Sequence, residues 1–130
     1  MPVTRLSIDI RNILGIIEEM RNREFIGQHE LMVMLAVLRL GREAYGVTIA
    51  SEIADRTGRE MLLGSVYEIL ERLEVKGLVS ARMGEATAVR GGRAKRYFNL
   101  TAEGVRHVRA AQRALEALWV GLPRSSGIKP

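Results

Sequence analysis

A mainly α-helical fold with one small β-hairpin is predicted by three features of the sequence. Apolar residues recur at helical spacing in five stretches, each closed by a glycine. Two short stretches, 78–83 and 95–100, instead alternate apolar and polar residues and are joined by a glycine-bearing link. A chain of 130 residues, 47% apolar and 27% charged, has room for one domain with a real core.

The first helix is expected over residues 5–24. Leu6, Ile10, Ile13, Ile17 and Met20 repeat at alternating spacings of four and three, and Leu14 and Ile16 widen the stripe. So apolar a helix covers its own domain or packs on a partner chain. Gly27 breaks it. A second helix, about 28–40, carries Leu31, Met34, Leu35 and Leu38 with Val33 and Val37 nearby, which is the pattern of a buried helix. Gly41 is its expected stop. Tyr45-Gly46 marks a tight turn into a third helix, about 47–57, with Ile49, Ala50 and Ile53 facing the core and Gly58 at its end.

Met61-Leu62 reads as a short strand. A fourth helix is expected over about 64–76, where Val66, Ile69, Leu70 and Leu73 give an i, i+3, i+4, i+7 core face that Gly77 closes. The hairpin arms follow, and the link 84–92 (GEATAVRGG) is small and flexible enough for a mobile tip. Thr101 is a good N-cap for the last helix, which runs to about 122. Its stripe is Val105, Val108, Leu115, Leu118 and Leu122, with Trp119 beside it and Gly121 and Pro123 at its end. The tail, 123–130, is expected to be disordered.

The net charge of +5 is concentrated. Between residues 76 and 106, seven basic residues face only Glu85 and Glu103, while the other 99 residues cancel. A neutral body with one positive segment suits a polyanion partner. The absence of cysteine excludes a disulfide scaffold, thiolate metal sites and a cysteine nucleophile, and it fits a reducing cytoplasm. No apolar run is long enough to span a bilayer, and the N-terminal stretch lacks a signal-peptide core. His29 and His107 stand alone without ligand spacing, so no metal is expected. No nucleophile elbow, P-loop or dinucleotide fingerprint occurs, so neither an enzyme nor a cofactor is expected.

Three helices followed by a hairpin make a winged helix-turn-helix, here residues 28–100, flanked by the N-terminal helix and by a C-terminal dimerisation helix, 101–122. In that arrangement the third core helix enters the major groove of duplex DNA. Its exposed first half offers Ser65 and Tyr67 to phosphates and Glu68 to cytosine N4, with Arg72 one turn on. The hairpin supplies Arg90, Arg93, Lys95 and Arg96 as phosphate cations. Arg90 and Arg93 are expected at the tip. Lys95 and Arg96 alternate, so one of the two faces DNA. The acids Glu68, Glu71 and Glu74 make the helix itself a poor non-specific DNA surface. Arg72 is also placed to pair with Glu68 at i, i+4.

These pieces, in order, resemble the PadR family of bacterial transcriptional regulators. The resemblance rests on a Leu-rich helix, Tyr45-Gly46, the run G-x-x-Y-x-x-L-x-R-L-E-x-x-G-L-V from Gly64 to Val79, GGRAKRYFNLT, and Glu103-Gly104. It spans about Glu30 to Arg109. It implies a homodimeric, repressor-type regulator on a pseudo-palindromic operator. It carries Tyr67 over to the family's recognition-helix tyrosine, and Arg93, Lys95 and Arg96 to its basic wing. The short last helix is similar to that of the smaller subfamily, where it serves dimerisation.

Two departures stand out. Leu62-Leu63 replaces a frequent Ser-Pro, which removes a cap worth about 1 kcal/mol. The N-terminal helix is also longer than the family minimum, and it is expected to pack on the partner's last helix. The dimer contacts expected from the stripes are Leu6, Ile10, Ile13, Ile17 and Met20 on the first helix. On the last helix they are Val108, Leu115, Leu118, Trp119 and Leu122. Because members of the resembled family bind flat apolar molecules between subunits, Trp119 is also a candidate effector contact, although an interface anchor is the simpler role. The alternative reading is a winged-helix protein-interaction module without DNA readout, favoured by the acidic helix.

Overall fold

The computed structural model describes residues 10–24, 26–85 and 94–123, with the backbone alone for 18–24. Its elements are α1 (Ile10–Glu24), α2 (Gln28–Leu40), a 3-10 turn (Gly41–Glu43), α3 (Gly46–Thr57), α4 (Leu63–Val75), β1 (Val79–Met83), β2 (Arg96–Leu100) and α5 (Ala102–Trp119). Gly41, Gly58 and Gly77 all take positive φ where helices were expected to stop.

The core lies where α2, α3 and α4 meet the hairpin. Val33, Met34 and Val37 of α2 meet Ile49 and Ile53 of α3, and Val66, Leu70 and Leu73 of α4 close the cluster. Phe98 of β2 is the largest of the fully buried side chains. The hairpin is antiparallel, with Val79 opposite Leu100, Ala81 opposite Phe98 and Arg82 opposite Tyr97. Strand alternation therefore turns Val79, Ala81, Phe98 and Leu100 inward and leaves Arg82 and Tyr97 on the outer face.

Two connections fix the hairpin on the helices. At Gly77 the chain must adopt φ +76°, which favours glycine. The Leu78 amide then donates back to the Leu73 carbonyl at 2.9 Å. Thr101 ties this turn to α5. Its hydroxyl donates to the Gly77 carbonyl at 2.7 Å and accepts from the Gly104 amide at 3.0 Å, the cap expected of it. Gly104 sits directly on this junction. A Cβ there would lie 2.1 Å from the Leu78 carbonyl oxygen, which is backbone and cannot swing aside. Gly104→Ala is therefore expected to destabilise the fold by about 3 kcal/mol, lowering Tm by roughly 10 °C in a calorimetric scan.

Ion pairs strap the helices from outside. Lys76, just after α4, meets Glu30 of α2 at 2.9 Å. Glu52 of α3 accepts from Arg39 at 2.8 Å and from Arg56 at 2.9 Å. These two guanidinium hydrogen bonds, Arg39 first, hold the Glu52 carboxyl below its ordinary pKa. A lowered carboxyl stabilises the fold above its unfolded pKa and stops doing so as pH falls through the folded one. A carboxyl NMR titration should place Glu52 below the ordinary glutamate value.

The structure departs from the sequence reading in a few places. Met61-Leu62 is not a strand. No strand lies beside it among the described residues, and Leu62 instead leads into α4 in an extended conformation. The described part of the first helix begins at Ile10. Residues 5–9, most of the 84–92 link and the tail from 124 lie outside the described residues.

Candidate nucleic-acid interface

The start of α4 is held by one tight contact. The Tyr67 ring rests on Gly46, the first residue of α3, so closely that a Cβ at position 46 would lie 2.4 Å from the ring's Cζ. A side chain there would push the Tyr67 ring off this seat. Tyr67 nevertheless remains 45% exposed, so it both packs and presents a face to solvent. Ser65 beside it is half-buried, while Glu68, Glu71 and Arg72 are exposed. Leu62 makes no side-chain cap, as the Leu62-Leu63 departure anticipates.

Next to Gly46, Tyr45 joins α3 to the wing. The Phe98 amide donates to the Ala44 carbonyl at 2.8 Å, and Tyr45 and Tyr97 form an isolated antiparallel bridge. Their rings meet edge to face with centroids 5.5 Å apart. The Lys95 ammonium lies 4.5 Å from the centre of the Tyr45 ring and donates to its hydroxyl at 3.3 Å. The Arg82 guanidinium covers the Tyr97 ring at 4.6 Å and donates to the Arg42 carbonyl at 3.2 Å. Gly84 admits the Tyr97 ring, since a Cβ there would lie 2.5 Å from it. The hydrogen bond to Tyr45 raises the Lys95 pKa, so this ammonium stays charged throughout the physiological range.

The strand alternation settles how Lys95 and Arg96 divide. Lys95 turns to the outer face with Tyr45 and Tyr97. Arg96 turns to α4, where it pairs with Glu74 and lies over Phe98. The pairing leaves α4 less acidic than its sequence, because Glu74 is neutralised by the wing. Glu68 and Arg72 form no ion pair with each other among the described residues, so the anticipated i, i+4 pair is absent. Arg90 and Arg93 lie outside the described residues. Tyr45, Arg82 and Tyr97 were not singled out in the sequence. Arg82 counted only toward the charge, and Tyr45 marked a turn and carried part of the family resemblance without a functional role.

A second surface is apolar. On α1, Ile10, Ile13 and Ile17 are exposed, and on α5 so are Leu115, Leu118 and Trp119, with Leu122 just beyond. Leu31, Leu35, Val108, Gln112 and Leu115 line a groove of about 300 Å³ between α2 and α5. Val108 corrects the expectation for this stripe. It is 6% exposed and belongs to the protomer's own core, because the first half of α5 packs on α2 and β2. The remaining two, Leu6 and the side chain of Met20, lie outside the described residues. Among the described residues no helix is long and apolar enough to cross a membrane.

Comparison with known proteins agrees with this geometry. The model of the transcriptional regulator PadR-like family matches residues 34–110. No curated protein matches the chain. Among solved structures, a PadR-like transcription factor from Bacteroides fragilis is 24% identical with a TM-score of 0.59, over 80% of this chain and 91% of that one. A PadR family regulator from Eggerthella lenta is 23% identical with a TM-score of 0.58, over 92% and 96%. One from Clostridium difficile is 23% identical with a TM-score of 0.56, over 70% and 94%. At these identities the likeness is one of fold, a winged helix.

Proposed function

The chain belongs to the PadR-like family of transcriptional regulators, and on that premise we propose that it is a homodimeric repressor that binds a pseudo-palindromic operator in the cytoplasm. The reading is carried by one connected set of contacts. It runs from Tyr67, packed over the buried Gly46, to Tyr45 and on to Lys95, Tyr97 and Arg82 on the outer face of the wing, joining the start of α4 to the wing. Cations on this surface meet phosphates, while Ser65, Tyr67 and Glu68 at the start of α4 meet the groove, with Arg72 behind them. Arg90 and Arg93 extend the cationic edge in sequence.

The division of labour follows from the charges. Exposed Glu68 and Glu71 repel phosphate and gain only from base amino groups, so α4 selects and the wing attracts. The apolar faces of α1 and the second half of α5 pair the protomers, with α1 lying on the partner's α5. A two-fold axis there sets the recognition helices about one DNA turn apart, roughly 34 Å. Trp119 serves as an anchor in that interface.

A salt titration of binding to duplex DNA tests the proposal. Affinity should fall steeply and linearly on logarithmic axes as salt rises. Absence of duplex binding at low salt would favour the second reading, a protein-interaction module. Glu68 and Glu71 of α4, exposed and without an ion pair among the described residues, are the observation behind that reading.

A further inference from the structure

We propose that Tyr45 is a positioning residue for DNA binding, acting through Lys95 and Tyr97 to set where the wing's cations stand relative to α4. The inference rests on the DNA-binding reading above. Three contacts converge on this one side chain. Its ring takes the edge-to-face contact of Tyr97, its face carries the Lys95 ammonium, and its hydroxyl accepts from the same ammonium. Its backbone bridges Tyr97 as well, so ring and main chain hold the same strand.

The position of Tyr45 in the chain gives these contacts their consequence. It immediately precedes Gly46, on which the Tyr67 ring rests, and its own amide donates to the Thr48 hydroxyl at 3.0 Å at the start of α3. The recognition helix and the wing are thus registered against the same two residues. A lysine side chain has four rotatable bonds and loses them on binding a phosphate. An ammonium already seated on a ring and a hydroxyl has lost much of that freedom beforehand, and preorganisation of this kind strengthens binding. Arg82, seated on the far ring of the stack, is held by the same device.

The Glu43 carboxylate also acts on Lys95, but more weakly than the Tyr45 hydrogen bond does. The Glu43 carbonyl is engaged by the Thr48 hydroxyl, which fixes this segment from the other side. The stack therefore sits between a braced turn and a braced strand, and the cations at its rim have one preferred place.

The test uses the full-length protein and a duplex that the wild type binds, titrated with salt. Tyr45→Leu keeps apolar bulk against Tyr97 but removes ring and hydroxyl, and about a tenfold loss of affinity is expected. Its log–log salt slope should shrink by about one, the share of a single phosphate contact. Lys95→Ala should shrink it equally, and combining the two should add little. Tyr45→Phe, which restores the ring, should recover most of the affinity. An unchanged slope in Tyr45→Leu would overturn the proposal. If that variant does not fold by circular dichroism, the cycle between Tyr45→Met, which also removes ring and hydroxyl, and Lys95→Ala decides, since Tyr45 is half-buried and Lys95 exposed and neither opens the core. Non-additive losses support positioning and additive losses refute it. Failure of the wild type to bind any duplex would instead refute the DNA-binding reading itself.

Discussion

Replacing Arg82 and Lys95 together with alanine is expected to weaken duplex DNA binding about a hundredfold near physiological salt. Each is a cation on the outer face of the wing, and a charge-assisted hydrogen bond contributes about 1.5–3 kcal/mol, or roughly tenfold or more in affinity. The salt slope should fall by about two, since each phosphate contact accounts for about 0.9. Fluorescence anisotropy at several salt concentrations measures both quantities at once. Arg96→Ala is the internal contrast. Its guanidinium is engaged by Glu74 of α4, so the slope should barely change, and stability should drop by about 1 kcal/mol at most, as for other exposed pairs. Equal losses in the two variants would show that Arg96 leaves Glu74 to bind phosphate, and the division of the wing into two faces would be wrong.

That contrast also marks the limit of what the sequence discloses. Helices α2, α3 and α4 were legible because each buries a stripe at 3.6-residue spacing and ends near a glycine free to take positive φ, at Gly41, Gly58 and Gly77. The hairpin was legible because strand alternation survives in single-sequence form. Partners are another matter. Glu74 and Arg96 are separated by 22 residues, and Tyr45 and Lys95 by 50, so local pattern carries no trace of either contact. Tyr45 looked like turn punctuation because its neighbour is glycine, and its ring contacts exist only once β2 has docked. Met61-Leu62 failed as a strand for the converse reason: an apolar pair becomes a strand only when another strand lies beside it.

The last helix shows the same limit in one element. Its stripe from Val105 to Leu122 is continuous in sequence, yet Val108 is covered by its own protomer and Leu118 is 75% exposed. Periodicity states that a face is apolar without saying which molecule covers it.

The uncovered half of that stripe carries the second large prediction. Leu115→Glu combined with Leu118→Glu is expected to give a monomer at micromolar concentration by sedimentation, with helical content preserved. Burying a leucine fully contributes about 1.5–3 kcal/mol. In a two-fold interface each of the two leucines occurs twice and only its exposed part is newly buried, for a gross contribution of about 4–8 kcal/mol, comparable to the roughly 8 kcal/mol net of association costs that holds a micromolar dimer. Removing that contribution and adding like charges across the axis leaves no margin. The fold should survive, because Leu115 and Leu118 are already 51% and 75% exposed in the protomer. A persistent dimer would place the axis elsewhere, and the exposed Ile10, Ile13 and Ile17 of α1 would be the next surface to charge. Dissociation should also separate the two half-sites energetically. The operator would then be bound one half at a time, with loss of the 10²–10⁴-fold advantage that linkage confers, while the salt slope per bound protomer stays that of the intact wing.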